Sequence, residues 1–437
     1  VAAVDGARIV AVVAFALTTG LGFVLLRRHV RSTSVLMAGT VVIGCSAVLL
    51  SIFERSASEH LFIVVVLLLL LVAEELIERP AHLWLLVAAC TLVWAAFYLR
   101  YAGLVLVPFT AAVVLVTSWS SGPRAAAARS AGVVALSLSA PVLWMLRNLD
   151  AGNDAMGTRR EASASLLTNI ERTTLTLGGW VSFQGPTALR VAALAALVGG
   201  VILLLVLLRP APARVAAHGR GVWPLLLFVV GYVLYLVLTA TVVAFAPIST
   251  RYLIPVFVPT VVLAAWAFDR ALPRLRRPAR VALSAAALVW VVANIAWFGA
   301  RALESQQHGA GGYATRAWRE SALIDEVARW PATEAIVTND VPAVELFTGR
   351  RLLESVPKTF LGSNEASGSL PEFVERVRCE GHVALAWFTR SGTRERLYSP
   401  RELARHLRLV PLVEVDDGVI YDLTPLEDGS QSGCPPA

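Results

Sequence analysis

Charge is scarce in this chain of 437 residues, because Asp, Glu, Lys and Arg together make up only 16% of it. Lysine is almost missing, since Lys358 is the one lysine in the sequence. Hydrophobic residues make up 57%, and the mean hydropathy is +0.66. A soluble protein of this length carries more charge, so the composition indicates an integral membrane protein. The net charge of +7 does not indicate a nucleic-acid partner, because the arginines stand between apolar runs.

The four cysteines show neither a CxxC motif nor a Cys/His cluster, so they predict no metal site. Cys45 and Cys90 lie inside apolar runs, as buried core cysteines do. Cys379 and Cys434 can form a disulfide if the C-terminal part faces an oxidising compartment.

The scarce charges are divided unevenly along the chain. Residues 1–300 contain 23 Arg and no Lys against 11 acidic residues, whereas residues 301–437 contain 15 basic and 20 acidic residues. The balance is therefore +12 in the first part and −5 in the second. This division predicts a membrane domain over 1–299 and a soluble domain over 300–437.

Ten apolar runs are each about long enough to cross a bilayer, which takes roughly 20 residues. They lie near 7–26, 35–53, 61–77, 81–98, 102–119, 127–146, 188–208, 222–246, 252–269 and 281–299. Arginines cluster after the first, fifth, seventh and ninth runs, which makes those loops cytoplasmic by the positive-inside rule. The loops 54–60, 99–101, 147–187 and 247–251 then face outward, as does everything after residue 300. Because Val1 would lie outside with no signal peptide before it, we expect at least one further span upstream.

Three charged residues stand where outward loops meet helices. Glu59 begins the third span, either as a carboxylate favoured by the helix dipole or as a catalytic acid at the membrane surface. Arg100, next to Tyr101, fits an interfacial belt or a contact to a lipid phosphate. Arg251, next to Tyr252, is either a snorkelling anchor or part of an anion site.

The outward loop 147–187 is long enough to be functional rather than a connector. It carries Arg147 and Arg159, and its residues 166–177 show weak amphipathic patterning, compatible with a helix on the membrane surface. Gly178 and Gly179 are expected to end that helix.

The C-terminal part is predicted to be a small α/β domain, because strands alternate with helices. The expected strands are 335–338, 382–388, 409–415 and 419–423, and the expected helices are one ending at Trp330, 341–347 and 401–407. Residues 309–312 are interpreted as a flexible linker. This part contains no P-loop, GxGxxG or GxSxG pattern, so nothing in it demands catalysis.

Five motifs, in this order, make residues 7–350 resemble the bacterial polyprenyl-phosphate-sugar glycosyltransferases of the GT-C class. That class includes protein O-mannosyltransferases and the aminoarabinose transferase that acts on lipid A. The motifs are Ser58–Phe62, Arg100–Leu104, Leu146–Asn148 with Gly157–Arg159, Ser249–Pro255, and Gly312–Ala314 with Trp318–Arg319.

The resemblance implies a multi-pass enzyme of a bacterial-type plasma membrane, with a hexosyl- or pentosyl-phosphate lipid donor and an extracytoplasmic glycan, protein or glycolipid acceptor. It assigns a catalytic carboxylate to Glu59 and the lipid-phosphate site to Arg100, Arg251 and Tyr252. Arg147, Arg159 and Tyr101 would line the cavity. No cofactor is implied, and the outward acids are too few for a dedicated divalent-cation cage.

One feature of the family is expected to have no counterpart here, because its principal base, the first outward acid, lies between the first two spans and we expect this chain to begin after that point. Asp5 is not assigned that role. Two other functions fit the sequence, namely a transporter or flippase of a lipid-linked or anionic solute and a catalytically inactive assembly subunit.

The predicted topology can be tested with alkaline phosphatase, which is active only where its disulfides form. A fusion after Ala310 should be active in intact cells and a fusion after Arg276 inactive. Green fluorescent protein at the same positions should give the opposite result. Activity after Arg276 would reverse the predicted orientation.

Overall fold

The structure, a computed structural model, describes residues 2–426 except 56–57, 81, 153–154, 156–159, 196–198, 200–220, 332–333, 361–362, 364, 381–382 and 393–394. Within these residues eight helical segments are long and apolar enough to cross a membrane: Gly6–His29, Thr33–Phe53, Glu59–Glu78, Tyr101–Ser121, Pro123–Asp150, Trp223–Val242, Thr250–Arg274 and Arg277–His308. Leu83–Leu99 is a shorter apolar helix. The predicted span 188–208 is helical over 187–195, and most of its remainder lies outside the described residues. The fold is polytopic, and the count of ten stays a prediction.

The helices of the membrane region are numbered in chain order. Helices α1 to α8 are Ala2–His29, Thr33–Gly44, Ala47–Phe53, Glu59–Glu78, Leu83–Leu99, Leu106–Ser118, Pro123–Asp150 and Leu166–Val181. Helices α9 to α12 are Trp223–Val242, Thr250–Leu253, Phe257–Ala271 and Arg277–His308.

Two predicted spans are interrupted. The span 35–53 breaks at Cys45, and Ser46 then caps α3 by accepting a hydrogen bond from the Leu49 amide. The span 252–269 passes through a 3-10 turn at Ile254–Val256.

Helix α4 lies at the centre of the membrane region, because it is apolar on nearly all faces and such a helix is stable only when surrounded. Phe62, Ile63, Leu67 and Leu70 are completely buried. Helix α12 is its opposite, since Asn294 is its one buried residue and large apolar side chains point away from the protein. The packing of α4 thus buries its first residue, Glu59, at one end of the helix bundle.

The arginine-rich ends of the helices lie together at the other end of the bundle. There the buried Glu74 of α4 contacts His29 Nε2 at 2.6 Å and Arg28 Nη1 at 3.2 Å. Asp269 accepts hydrogen bonds from the backbone amides of Arg31 and Ser32, both at 3.0 Å. Each of these acids is fully used in joining helix ends, which makes the pairs structural.

The C-terminal part is an α/β domain with a five-stranded sheet. The strands β1 to β5 are Ile336–Thr338, Leu353–Glu354, Val383–Phe388, Leu407–Val415 and Gly418–Pro425, and their order in the sheet is β2-β1-β3-β5-β4. The helices α13 to α17 are Arg316–Arg319, Ala322–Arg329, Val341–Thr348, Leu370–Glu380 and Pro400–Leu403. Strands β1, β2 and β3 are parallel, and β3, β5 and β4 are antiparallel.

The four predicted strands are confirmed, but the sequence analysis missed β2 and α16. The predicted helix 401–407 is wrong beyond Leu403, because Leu407 is buried as the first residue of β4. Cys379 is disulfide-bonded, whereas its predicted partner Cys434 lies outside the described residues.

The prediction of a flexible linker at 309–312 is wrong. Helix α12 continues through residue 299 to His308, and Gly309 then turns the chain with φ 85°. A Cβ atom at Gly309 would lie 2.6 Å from the Arg316 amide nitrogen, so only glycine fits there. Arg301 of α12 also pairs with the buried Glu54 at 3.0 Å. These contacts fix the end of α12 beside Glu54 and the turn through which the chain enters the α/β domain.

Candidate functional site

Glu59 is the first residue of α4, and its side chain is only 1% exposed. The neighbouring His60 fixes this helix end, because His60 Nε2 donates to the Ile52 carbonyl at 2.9 Å. The His60 ring also stacks on Phe53 at 4.6 Å. The carboxylate of Glu59 is therefore held inside the bundle rather than swinging in a surface loop.

Arg100 is placed by a tight turn after α5. Its backbone is extended, and the 3-10 turn Tyr101–Val105 then folds back onto the last turn of α5. Gly103 makes this return possible, since a Cβ atom there would lie 2.5 Å from backbone atoms of Ala96 and Phe97. The close approach turns the Arg100 side chain towards α4.

Arg251 belongs to the one-turn helix α10, which follows the extended residue Ser249. Trp180 Nε1 donates to Thr250 Oγ1 at 3.4 Å, and the Tyr252 ring meets Phe245 edge-on at 5.2 Å. Both contacts hold this short helix on either side of Arg251.

These three segments converge on one atom. Arg100 Nη1 and Arg251 Nε both bind Glu59 Oε1. The Arg100 guanidinium also lies over the Tyr252 ring, 5.6 Å from its centroid, as in a cation–π contact. The structure thus brings together Glu59, Arg100, Arg251 and Tyr252, which the sequence analysis had selected from three separate outward loops. Their roles stay predictions.

The ion triad of Glu59, Arg100 and Arg251 is not electrically closed. Two guanidinium groups and one carboxylate leave one formal positive charge. The Arg251 side chain is 52% exposed, against 14% for Arg100, so the free charge faces an accessible side. Glu59 Oε2 is buried and has no hydrogen-bond partner among the described residues. Buried carboxylate oxygens are rarely left without a hydrogen-bond partner, which makes Oε2 a candidate atom for contact with a ligand.

The predicted cavity-lining residues form a second group beside the ion triad. Trp144 Nε1 donates to the Tyr101 hydroxyl at 3.3 Å, and the Arg147 guanidinium lies 5.4 Å from the Trp144 ring. Arg147 therefore joins the site through Trp144 and Tyr101. Arg159 lies outside the described residues.

Sequence reasoning missed Tyr232, which lies within an apolar run and looks like an ordinary core residue. It is completely buried, 5.5 Å from the Phe228 ring, and its hydroxyl is within electrostatic range of Arg100 and Glu59. An apolar groove of about 420 Å³ begins beside it, between α6 and α9. Its walls include Leu104, Val105, Phe109, Phe228, Tyr232 and Leu238.

The loop 147–187 reaches the same region and also differs from its prediction. Helix α8 continues through Gly178 and Gly179 to Val181. Earlier in the loop, the Ala244 amide donates to the Arg160 carbonyl at 2.9 Å. The Arg160 guanidinium binds Glu365 at 2.5 Å, so this loop also contacts the α/β domain. In the described part of the chain, no group of three or more His, Cys, Asp or Glu side chains is placed to hold a metal ion.

The sequence matches no family model and no curated protein. The structure, however, is similar to the crystal structure of ArnT from Cupriavidus metallidurans bound to undecaprenyl phosphate, with a TM-score of 0.54. The chain has a GT-C-like fold. The similarity covers 95% of this chain and 83% of ArnT at 12% sequence identity, and likeness at that identity shows the fold alone.

Replacing Gly103 tests how the site is positioned. Gly103→Ala should lower the free energy of unfolding by about 1–3 kcal/mol, because overpacking of this size shifts the backbone. Gly132→Ala is the matched control, since a Cβ atom there meets nothing within 4 Å. Thermal unfolding in detergent should show a lower midpoint for Gly103→Ala only. Equal midpoints would show that the turn relaxes freely.

Proposed function

We propose that this chain is an integral membrane glycosyltransferase that moves a sugar from a polyprenyl-phosphate donor to an extracytoplasmic glycan, protein or glycolipid acceptor. The convergence of Arg100 and Arg251 on the buried Glu59, beside an apolar groove, carries the proposal. The similar fold of ArnT, which was solved with undecaprenyl phosphate, supports the choice of a lipid-phosphate donor.

The two arginines supply the phosphate site. Guanidinium groups bind phosphate oxygens in a paired geometry, and the triad has one positive charge left for such an anion. In sugar transfer, the bond between the anomeric carbon and the phosphate oxygen breaks, and its electron pair leaves with the phosphate. Arg100 and Arg251 stabilise that developing charge in a partly buried setting, where electrostatic stabilisation is stronger than in water.

The apolar groove between α6 and α9 supplies a place for the polyprenyl chain. It begins at Leu104 and Val105, which follow Arg100 in the same turn, and at Tyr232. A lipid phosphate held by Arg100 can therefore extend its chain directly into this groove. Because the isoprenoid chain already lies in the bilayer, van der Waals packing in the groove, rather than removal from water, holds it there.

Glu59 serves both sides of the reaction. Its Oε1 positions the two arginines, while the unpartnered Oε2 accepts the proton of the acceptor hydroxyl as a general base. The acceptor oxygen attacks the anomeric carbon opposite the departing phosphate, so the configuration inverts. The bound phosphate offsets the positive charge that would otherwise weaken Glu59 as a base.

Replacing Arg251 tests the phosphate site. Arg251→Ala should weaken binding of polyprenyl phosphate and slow its release from a labelled lipid-linked sugar by roughly a hundredfold or more, the usual effect of losing one such stabilising group. Arg124→Ala, an exposed arginine at the other end of the bundle, should change neither measurement. Unchanged turnover in Arg251→Ala would remove its assigned role.

Glu59→Gln distinguishes the role of Glu59 as a general base from its role as the negative partner of the arginines, because loss of the base should slow transfer and loss of the negative charge should strengthen phosphate binding. The triad would gain one positive charge and should bind polyprenyl phosphate more tightly. Transfer should nevertheless fall by about a hundredfold or more, since general bases contribute that much. Binding is measured with polyprenyl phosphate alone and transfer with the labelled donor. Full transfer activity in this variant would contradict the assignment, and uptake of donor into vesicles without bond cleavage would indicate a flippase.

A further inference from the structure

A second cavity, of about 350 Å³, opens beside Thr250, the residue that precedes Arg251. It lies between α3, the turn after α8, and the end of α12, and Ala47, Val48, Ser51, Gln184, Trp297, Arg301 and Glu304 complete its lining. The volume is at the lower end of the range of small-molecule sites, roughly 300–1,000 Å³.

One wall of this cavity is a strained turn. Phe183 and Gln184 have φ of 53° and 60°, and in the described part of the chain they are the two residues other than glycine with positive φ. Arg190 fixes the turn by donating to the Gly185 carbonyl at 2.6 Å and to the Gln184 carbonyl at 3.0 Å. Such strain persists where surrounding contacts enforce it, and it clusters at ligand sites.

Aromatic contacts fasten the strained turn to α12. Phe183 stacks on Trp290 at 6.1 Å and meets Trp297 edge-on at 5.6 Å. Trp290 Nε1 also donates to the Val181 carbonyl at 2.9 Å. These contacts keep Gln184 and Trp297 together in the cavity lining, so a polar amide and an indole ring are presented together.

The cavity is polar and carries no net positive charge. Among its lining residues Arg301 and Glu304 are the charged ones, and Arg301 pairs with Glu304 at 2.7 Å and with Glu54 at 3.0 Å. Buried Arg301 Nε has no hydrogen-bond partner in the described structure. The lining thus offers donors and acceptors from Ser51, Gln184 and Thr250 without the positive charge that distinguishes the ion triad. This chemistry suits a neutral, hydroxyl-bearing ring with one apolar face, and it does not suit a phosphate.

We propose that this cavity binds a sugar ring, with Gln184 and the Arg301–Glu304 pair recognising hydroxyl groups and Trp297 contacting the apolar face of the ring. The inference rests on the proposed glycosyl transfer, since a sugar next to Thr250 lies beside the phosphate site at Arg251. Both the donor sugar and the acceptor sugar have this chemistry.

Binding of methyl glycosides tests the proposal without turnover. The full chain in lipid nanodiscs, loaded with polyprenyl phosphate, is titrated with methyl glycosides of mannose, glucose, galactose and arabinose and followed by saturation-transfer NMR. At least one glycoside should bind, and Gln184→Ala and Glu304→Gln should each weaken it about fivefold or more, as lost hydrogen bonds do. Glu304 is exposed, so its replacement leaves folding intact even if Gln184→Ala disturbs the turn. Gln307→Ala, an exposed position on α12 outside the cavity, should match the wild type.

Competition with the complete lipid-linked sugar shows whether the cavity holds the donor sugar or the acceptor sugar. If the lipid-linked sugar displaces the glycoside and polyprenyl phosphate does not, the cavity holds the donor sugar. If the glycoside stays bound beside the full donor, the cavity holds the acceptor. Absence of binding by every glycoside, or equal affinities in all variants, would overturn the proposal. If the wild type binds a glycoside but releases no polyprenyl phosphate from the lipid-linked sugar, the proposed transfer is contradicted and the sugar-binding cavity is not.

Discussion

The carboxylate of Glu59, shared by two guanidinium groups, is the interaction on which the site and its surroundings depend. A buried carboxylate without partners costs several kcal/mol, and two adjacent guanidinium groups without a carboxylate repel each other. The three groups therefore require one another. Since they come from α4, from the turn after α5 and from α10, the ion triad also fixes how these three segments meet.

The two ends of the bundle use the same residue types in opposite ways. At the arginine-rich end, both oxygens of Glu74 are taken by Arg28 and His29, and both oxygens of Asp269 accept backbone amides. At the other end, Glu59 keeps one oxygen unpartnered and Arg251 is half exposed. An ion pair whose oxygens are all bonded joins helices, whereas one with an unpartnered oxygen and an exposed guanidinium can still bind a ligand. This difference, rather than the presence of charge, separates the structural pairs from the candidate site.

Three kinds of surface adjoin one another around the ion triad. The groove between α6 and α9 is apolar, the triad is positive, and the cavity beside Thr250 is polar without net positive charge. An amphiphile made of an isoprenoid chain, a phosphate and a sugar has these same three parts. Arg301 holds the end of α12 to Glu54, and the α/β domain that follows α12 contacts the long loop through Glu365 and Arg160. The tight turn at Gly309 leads the chain from the end of α12 into the α/β domain.

The sequence by itself determined the membrane region, the α/β character of the C-terminal domain and the selection of Glu59, Arg100, Arg251 and Tyr252. Scarce charge, apolar runs and arginine clusters are local patterns, and each residue of the site stands at a visible junction of loop and helix. Only the tertiary structure decided that both arginines bind the same oxygen, that the buried Tyr232 lines the apolar groove, and that Gln184 and Trp297 share a cavity. These pairings arise from the packing of helices far apart in the chain, and periodicity shows which face of a helix is apolar without showing which helix lies against it. The linker was misjudged for the same reason, because the constraint on Gly309 comes from the Arg316 amide across the turn it closes rather than from its own composition.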